Sequence, residues 1–275
     1  MTGRWPGKLA TQAVLLANAV LVLAPMVIMA LSAFKSTREI FQNPFGLPVV
    51  WRLENFSRVW VEARFALYFR NSVVVTLASL LIILVFGAMA GYALGRVRFA
   101  GNDALYLYFL SGLMLPIRLG IIPLFILMRN LRLLDTPWAL ILTYAASGLP
   151  SAVFILTGFF RALPADLDSA ARIDGAGEWL IFRGVMLPLV RPALVIVAIY
   201  NLIPIWNDFF FPLVFIQSDR LKTLPLGMTA FFGQYYTDWA LLFAGLTLAA
   251  VPVIALYVLL SQHFIRGLTA GAVKG

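Results

Sequence analysis

The sequence predicts an all-α integral membrane protein, and three observations predict it. The 275 residues are 62% hydrophobic and only 12% charged, about half the charged share of an ordinary soluble domain. Charged residues bound six apolar windows of 25 to 27 residues each. A helix rising about 1.5 Å per residue crosses a hydrocarbon core of about 30 Å in some 20 residues, so each window is long enough to span with tilt.

Window 9–34 follows Arg4 and Lys8, as a signal peptide would, but its length favours a retained anchor over a cleaved leader. Window 71–95 ends in GAMAGYALG, which sets Gly87, Gly91 and Gly95 on one helical stripe. Such spacing lets two helix backbones approach closely in lipid, and packing within the chain is the simpler use for it than a homodimer. Windows 104–128, 136–160, 192–218 and 239–265 complete six predicted spans. Pro25, Pro116, Pro123, Pro150, Pro204, Pro212 and Pro252 fall inside them. Each removes a backbone donor and frees a carbonyl, a break that is tolerated where the chain meets protein or a watery cavity.

Three connecting segments exceed simple turns. Residues 35–70, with Trp51, Trp60 and Tyr68 among charges, suit a structured segment at a membrane interface. Residues 219–238 form a shorter partner on the same side, and 161–191 lies on the other. With both termini inside, Lys and Arg number ten on each side, so charge alone leaves orientation open. A net charge of +9 scattered between apolar spans suits anionic lipid headgroups, with no nucleic-acid partner expected. There is no cysteine and a single histidine, His263, which excludes thiol chemistry and leaves no histidine-based metal centre.

Two charges lie inside windows. Arg118 sits in LMLPIRLGIIP and Asp208 in IPIWNDFFFP, beside Trp206 and Asn207. A charge at mid-membrane costs about 2.5–3.5 kcal/mol on insertion scales. The two windows run in the same direction, and the charges fall roughly 21 and 24 Å from the same face. They can therefore pair, or line one polar patch on a translocation path, or snorkel separately to headgroups. No convergent set of acids, histidines or metal ligands marks a catalytic site.

Segment 161–191 holds the one dense mixture of both charge signs. Asp166 and Asp168 suit the first turns of a short helix after Pro164, and Gly175 and Gly177 suit its stop. A second short helix over roughly 178–186 leads to Pro188 and Pro192. Ala170 and Ala171 give a face on which another protein can seat closely. Leu167, Ile173, Trp179, Leu180 and Phe182 supply anchors larger than a solvated loop needs. On chemistry alone, a docking element and an interfacial amphipathic hairpin are equal readings.

This stretch resembles the EAA loop of permease subunits of bacterial binding-protein-dependent ABC importers. Ala170-Ala171, Asp174-Gly175-Ala176 and Leu187-Pro188 stand where that loop carries its signature, and Ser169 stands in place of its usual glutamate. WNDFFFPL (206–213) and the terminal RGLTAGAVKG (266–275) are similar to the carbohydrate-uptake branch, relatives of the maltose permease. The resemblance implies six spans with a cytoplasmic EAA-type coupling helix between the fourth and fifth. Both termini would be cytoplasmic, in the bacterial inner membrane. It implies a second permease as heterodimer partner, two copies of a cytoplasmic ABC ATPase and an extracytoplasmic binding protein delivering a sugar or related solute. ATP and Mg would be held by the ATPase, with no cofactor on this chain, which has no GxxxxGK[ST] phosphate loop. The tail, with Gly267, Thr269, Gly271 and Lys274, would reach towards the ATPases, although its composition alone favours disorder. A stand-alone secondary transporter is the alternative reading.

Overall fold

The protein was analysed as a computed structural model, which describes residues 5–61, 64–231 and 237–272. It is helical, in agreement with the predicted class. Its helices are α1 (Trp5–Ser32), α2 (Thr37–Gln42), α3 (Glu54–Val61), α4 (Phe65–Arg96), α5 (Asn102–Met114), α6 (Ile121–Asn130) and α7 (Pro137–Ala162). They continue as α8 (Asp166–Ile173), α9 (Glu178–Leu180), α10 (Leu187–Leu189), α11 (Arg191–Trp206), α12 (Phe210–Phe215), α13 (Leu224–Gly227) and α14 (Trp239–Ala272). Stretches of α1, α4, α7 and α14 are each long and apolar enough to cross a membrane. Two bent pairs raise the number to as many as six.

The window 104–128 is not one helix: α5 and α6 meet at 82°. Pro116 forces the residue before it out of the α region, and Leu115 is extended (φ −86°, ψ 115°). A 3₁₀ turn over Ile117–Gly120 then starts the second piece. The window 192–218 also breaks. α11 ends at Trp206, and α12 begins only at Phe210. The short helix expected over 178–186 is three residues of α9 followed by a π-helical turn, Ile181–Met186. α9, this turn and α10 meet α11 at 73°.

The chain divides into two compact units, Met1–Leu67 with Gly227–Pro252, and Tyr68–Leu226 with Val253–Gly275. In the second, α7 is the central element, burying Leu140, Ile141, Tyr144, Ala152, Leu156 and Phe160 among others. The glycine stripe of α4 packs on it. A Cβ added at Gly87 would lie 2.7 Å from Ala152 Cβ, one at Gly91 2.8 Å from Leu156 Cβ, and one at Gly95 3.0 Å from Phe160 Cβ. The stripe therefore serves packing within the chain, where lipid offers no hydrophobic drive and close backbone approach supplies the attraction.

In the first unit, the segment after α1 is folded rather than loose. Lys35 is fully buried, and its Nζ donates to Asn43 O at 2.7 Å. Asn55 Nδ2 donates to Ala33 O at 2.9 Å and Lys35 O at 3.0 Å. Asp238 caps the start of α14 by accepting from Leu241 N at 3.2 Å, and Arg58 lies 3.7 Å from its other oxygen.

Candidate functional site

Arg118 and Asp208 come together. Arg118 stands on the 3₁₀ turn at the α5–α6 break, and Asp208 at the α11–α12 break. Their closest atoms, Nη2 and Oδ1, are 3.2 Å apart. Asp208 is held more closely than this pair alone requires, since Oδ2 accepts from Tyr144 Oη at 2.8 Å and from Phe211 N at 3.0 Å. The two breaks thus create the site: one brings the guanidinium to the carboxylate, and the other leaves the Phe211 amide free for a side-chain acceptor. The partners are unequal. The Asp208 side chain is 4% exposed and that of Arg118 is 68% exposed. Arg118 also lies over the Phe210 ring, 5.8 Å from its centroid.

The pair opens onto a cavity of about 350 Å³. Ser147, Ser151, Tyr200 and Asn201 line it with Arg118, Tyr144 and Asp208. Of the four path residues expected from sequence, Arg118 and Asp208 line this cavity. Trp206 is buried with its ring edge-on to Phe69, 5.6 Å between centroids. Asn207 is exposed, but its Nδ2 is bonded to Ile203 O at 3.0 Å. Tyr144, the serines and Asn201 were not singled out from sequence. The available signal was the spacing of Tyr144, Ser147 and Ser151, which share one face of α7.

The second constellation is the loop 161–191. α8 and the turn that follows it present Ser169, Ala170, Asp174 and Gly175 to solvent, with Ala171 and Ala176 partly covered. Ile173 is 86% exposed, and Trp179 and Leu180 are 61% exposed. Gly175 has φ +82°, so the reversal after α8 uses the left-handed geometry that glycine adopts without strain. Leu187 and Pro188 are partly buried in α10.

Asp168 differs from its neighbours, because it faces inward. Arg96 Nη2 lies 2.6 Å from Asp168 Oδ2, and Arg96 Nε donates to the same oxygen at 2.7 Å. Arg96 also donates to Leu163 O at 2.8 Å and Pro164 O at 3.0 Å. A second tie runs through Glu178, which accepts from Tyr92 Oη at 3.0 Å and Arg172 Nε at 2.9 Å. These two clamps fasten α8 and the start of α9 to the end of α4. In the tail, α14 carries Gly267, Thr269 and Gly271 as helix, in place of disorder, and Lys274 lies outside the described residues. Among the described residues, no group of His, Cys, Asp or Glu is arranged to hold a metal ion.

Comparison with known proteins adds a family. A family model described as the binding-protein-dependent transport system inner membrane component matches residues 83–270. A diacetylchitobiose uptake system permease protein of Streptomyces coelicolor is 40% identical over 267 residues, covering 96% of this chain and 88% of that protein. A maltodextrin transport system permease protein of Bacillus subtilis is 31% identical over 276 residues, covering 100% of this chain and 99% of its own length. Among solved structures, a bacterial ABC transporter involved in the import of the acidic polysaccharide alginate has a chain of the same fold. Its TM-score is 0.85 at 22% identity, over 96% of this chain and 98% of that one.

Proposed function

Because this chain belongs to the binding-protein-dependent transport system inner membrane component family, we propose that it forms, with a second permease, the translocation path of an ATP-driven sugar importer. The permease role follows from the family. The sugar is inferred from relatives named for diacetylchitobiose and maltodextrin uptake. In this reading two copies of a cytoplasmic ATPase carry ATP and Mg, and an extracytoplasmic binding protein delivers the solute. Loop 161–191 and both termini are then cytoplasmic, and 35–70 and 219–238 lie outside.

The geometry of α8 carries the reading. A short helix with a small-residue face, ending in an 86%-exposed Ile173, has no reason to project that side chain into water. Seated in a cleft of an ATPase, Ile173, Ala170 and Gly175 make the contact. Ser169, where relatives of this type carry glutamate, leaves that contact to shape more than to charge. Asp168 supports the loop from inside through Arg96. Movement of α8 then reaches α4 and the end of α7 through the Arg96 and Glu178 clamps. The helical tail carrying Gly267, Thr269 and Gly271, continued by Lys274, extends towards the same ATPases.

The test is co-purification from native membranes after gentle extraction, with Ile173→Glu beside the native chain. The native chain brings a second permease and an ABC ATPase; Ile173→Glu keeps the permease and loses the ATPase. Retention of the ATPase by the variant overturns docking through α8. A native chain that purifies alone overturns the subunit reading.

A further inference from the structure

The cavity beside Arg118 and Asp208 has a hydrogen-bonding character that selects among solutes. Its serines have their donors committed: Ser147 Oγ donates to Tyr144 O at 3.0 Å, and Ser151 Oγ to Gly148 O at 2.8 Å. Asn201 Nδ2 donates to Val197 O at 2.9 Å. What the serines have left is acceptor capacity, on two hydroxyl oxygens, while Asn201 keeps its amide oxygen as an acceptor and one amide N–H as a donor. Asp208 already accepts three hydrogen bonds, from Arg118, Tyr144 and Phe211. Arg118 spends one N–H on Asp208 and, at 68% exposure, keeps other donors open to the cavity.

The site therefore presents a wall that is mainly acceptors, with one Asn201 N–H and the Arg118 guanidinium as its donors, and a charge pair that sums to zero. Tyr200, 61% exposed, supplies an aromatic face at its rim. A sugar ring meets this description. Its hydroxyls donate to Ser147, Ser151 and Asn201, a hydroxyl or ring oxygen accepts from Arg118, and its apolar face lies on Tyr200. A carboxylate does not, since it brings no donor for the acceptor wall, and the one cation it could meet is already neutralised by Asp208. Burying it there would leave charge without compensation.

We propose that this cavity is a solute subsite on this chain itself, taking one neutral, hydroxyl-rich sugar residue and rejecting uronates. The subsite rests on the reading of the chain as an importer permease. It goes beyond that reading by giving this subunit a share in choosing the cargo.

The chain has no cysteine, so Ser147→Cys places a single thiol in it, at an exposed position on the cavity wall. The full assembly carrying this variant is reconstituted in nanodiscs with its binding protein. It is treated with a small methanethiosulfonate, and modification of this chain is read by peptide mass spectrometry. The probes are maltotriose, N,N′-diacetylchitobiose and trigalacturonate. ATP-driven uptake of each probe is measured in parallel in vesicles.

A neutral probe that is taken up slows modification at least fivefold, and trigalacturonate does not. Asn201→Leu, which removes one acceptor, raises the half-saturation for uptake by about tenfold, the size of one lost hydrogen bond, and leaves the maximal rate in place. Uptake of a neutral probe with unchanged modification, or with unchanged half-saturation in Asn201→Leu, overturns the subsite and leaves the importer reading standing. Equal protection by trigalacturonate overturns the selectivity. Absence of ATP-driven uptake of every probe overturns the neutral-sugar assignment, while co-purification with an ATPase separately decides the importer reading.

Discussion

Arg96, at the last residue of α4, and Asp168, in α8, are held at 2.6 Å with side chains only 7% and 8% exposed. The guanidinium also donates to the carbonyls of Leu163 and Pro164, so one side chain fastens three elements: α4, the end of α7 and α8. In so little water the pair is strongly coupled, and loss of one partner strands the other.

Arg96→Ala is expected to be the more damaging change. It leaves the Asp168 carboxylate buried and orphans the carbonyls of Leu163 and Pro164, and breaking a buried pair in this way costs about 3–5 kcal/mol. Asp168→Asn keeps the shape and leaves Arg96 its carbonyl acceptors, so its cost is smaller. Thermal unfolding in detergent ranks the two. The informative second readout is ATP hydrolysis by the assembly. If α8 docks on the ATPase as proposed, Arg96→Ala should retain hydrolysis and lose its dependence on the loaded binding protein, because the docked helix no longer pulls on α4. Equal stability of the two variants would contradict the shared clamp.

The stripe on α4 allows a graded test. Gly91 faces Leu156 Cβ at 2.8 Å and the Thr157 backbone nitrogen at 3.2 Å from an added Cβ, so neither neighbour can swing away. Gly91→Leu is expected to cost about 1–3 kcal/mol by overpacking, and Gly91→Ala less. Gly158, in α7, has nothing within 4 Å of an added Cβ. Gly158→Ala should therefore be neutral or stabilising, by up to about 1 kcal/mol of helix propensity. Melting of the purified chain separates these, and a Gly91→Leu variant as stable as the native chain would break the packing argument.

The pattern of these residues indicates what was legible in the sequence. Spans could be placed because a helix in lipid satisfies its own backbone and needs an apolar stretch of fixed length. Arg118 and Asp208 stood out because charge inside such a stretch is costly. Equal depth allowed a meeting but left snorkelling as an equal choice, since the direction of each side chain depends on where its span breaks, at Pro116 in one and between Trp206 and Phe210 in the other. Tyr144 was hidden for a different reason. A tyrosine in an apolar run is ordinary, and only the fold brings its hydroxyl to a carboxylate 64 residues away. The inward turn of Asp168 was hidden in the same way, because its partner Arg96 lies 72 residues earlier in the chain.

Asp135 gives a pH dependence with a definite sign. It accepts from Gln217 N at 2.9 Å and from Ser218 N at 2.8 Å, and its other oxygen takes the Ser218 hydroxyl, which joins the loop before α7 to the chain after α12. The Ser218 hydroxyl foremost, with the two backbone donors, holds the Asp135 carboxyl below the ordinary aspartate range. A depressed pKa means the unfolded chain binds the proton more readily. The contribution is therefore complete above the unfolded value of about 3.9 and is lost as pH falls through the lower folded value. Asp135→Asn tolerates the left-handed backbone there (φ 56°). It should unfold at lower temperature than the native chain at pH 7, and the difference should shrink as pH falls towards 3. A difference that stays constant with pH would assign the effect to packing.

Charge exchange at Arg118 and Asp208 is the usual test of an ion pair, and here it should fail for a structural reason. Asp208 accepts from Tyr144 Oη and Phe211 N as well as from Arg118, at a site 4% exposed. Asp208→Arg would aim a cation at two donors and leave both without an acceptor, whatever stands at position 118. The double variant Arg118→Asp/Asp208→Arg should therefore be no better than Asp208→Arg alone. Asp208→Asn retains acceptor oxygen for Tyr144 or Phe211 and should be the mildest change at that position. Arg118→Gln leaves the carboxylate its two internal donors and loses a guanidinium that is 68% exposed, so it should disturb stability by less than Asp208→Arg and transport by more than its stability loss explains. Melting temperature and sugar uptake, measured on all four variants, decide this. Full rescue by the exchanged pair would mean that Tyr144 and Phe211 do not fix the carboxylate.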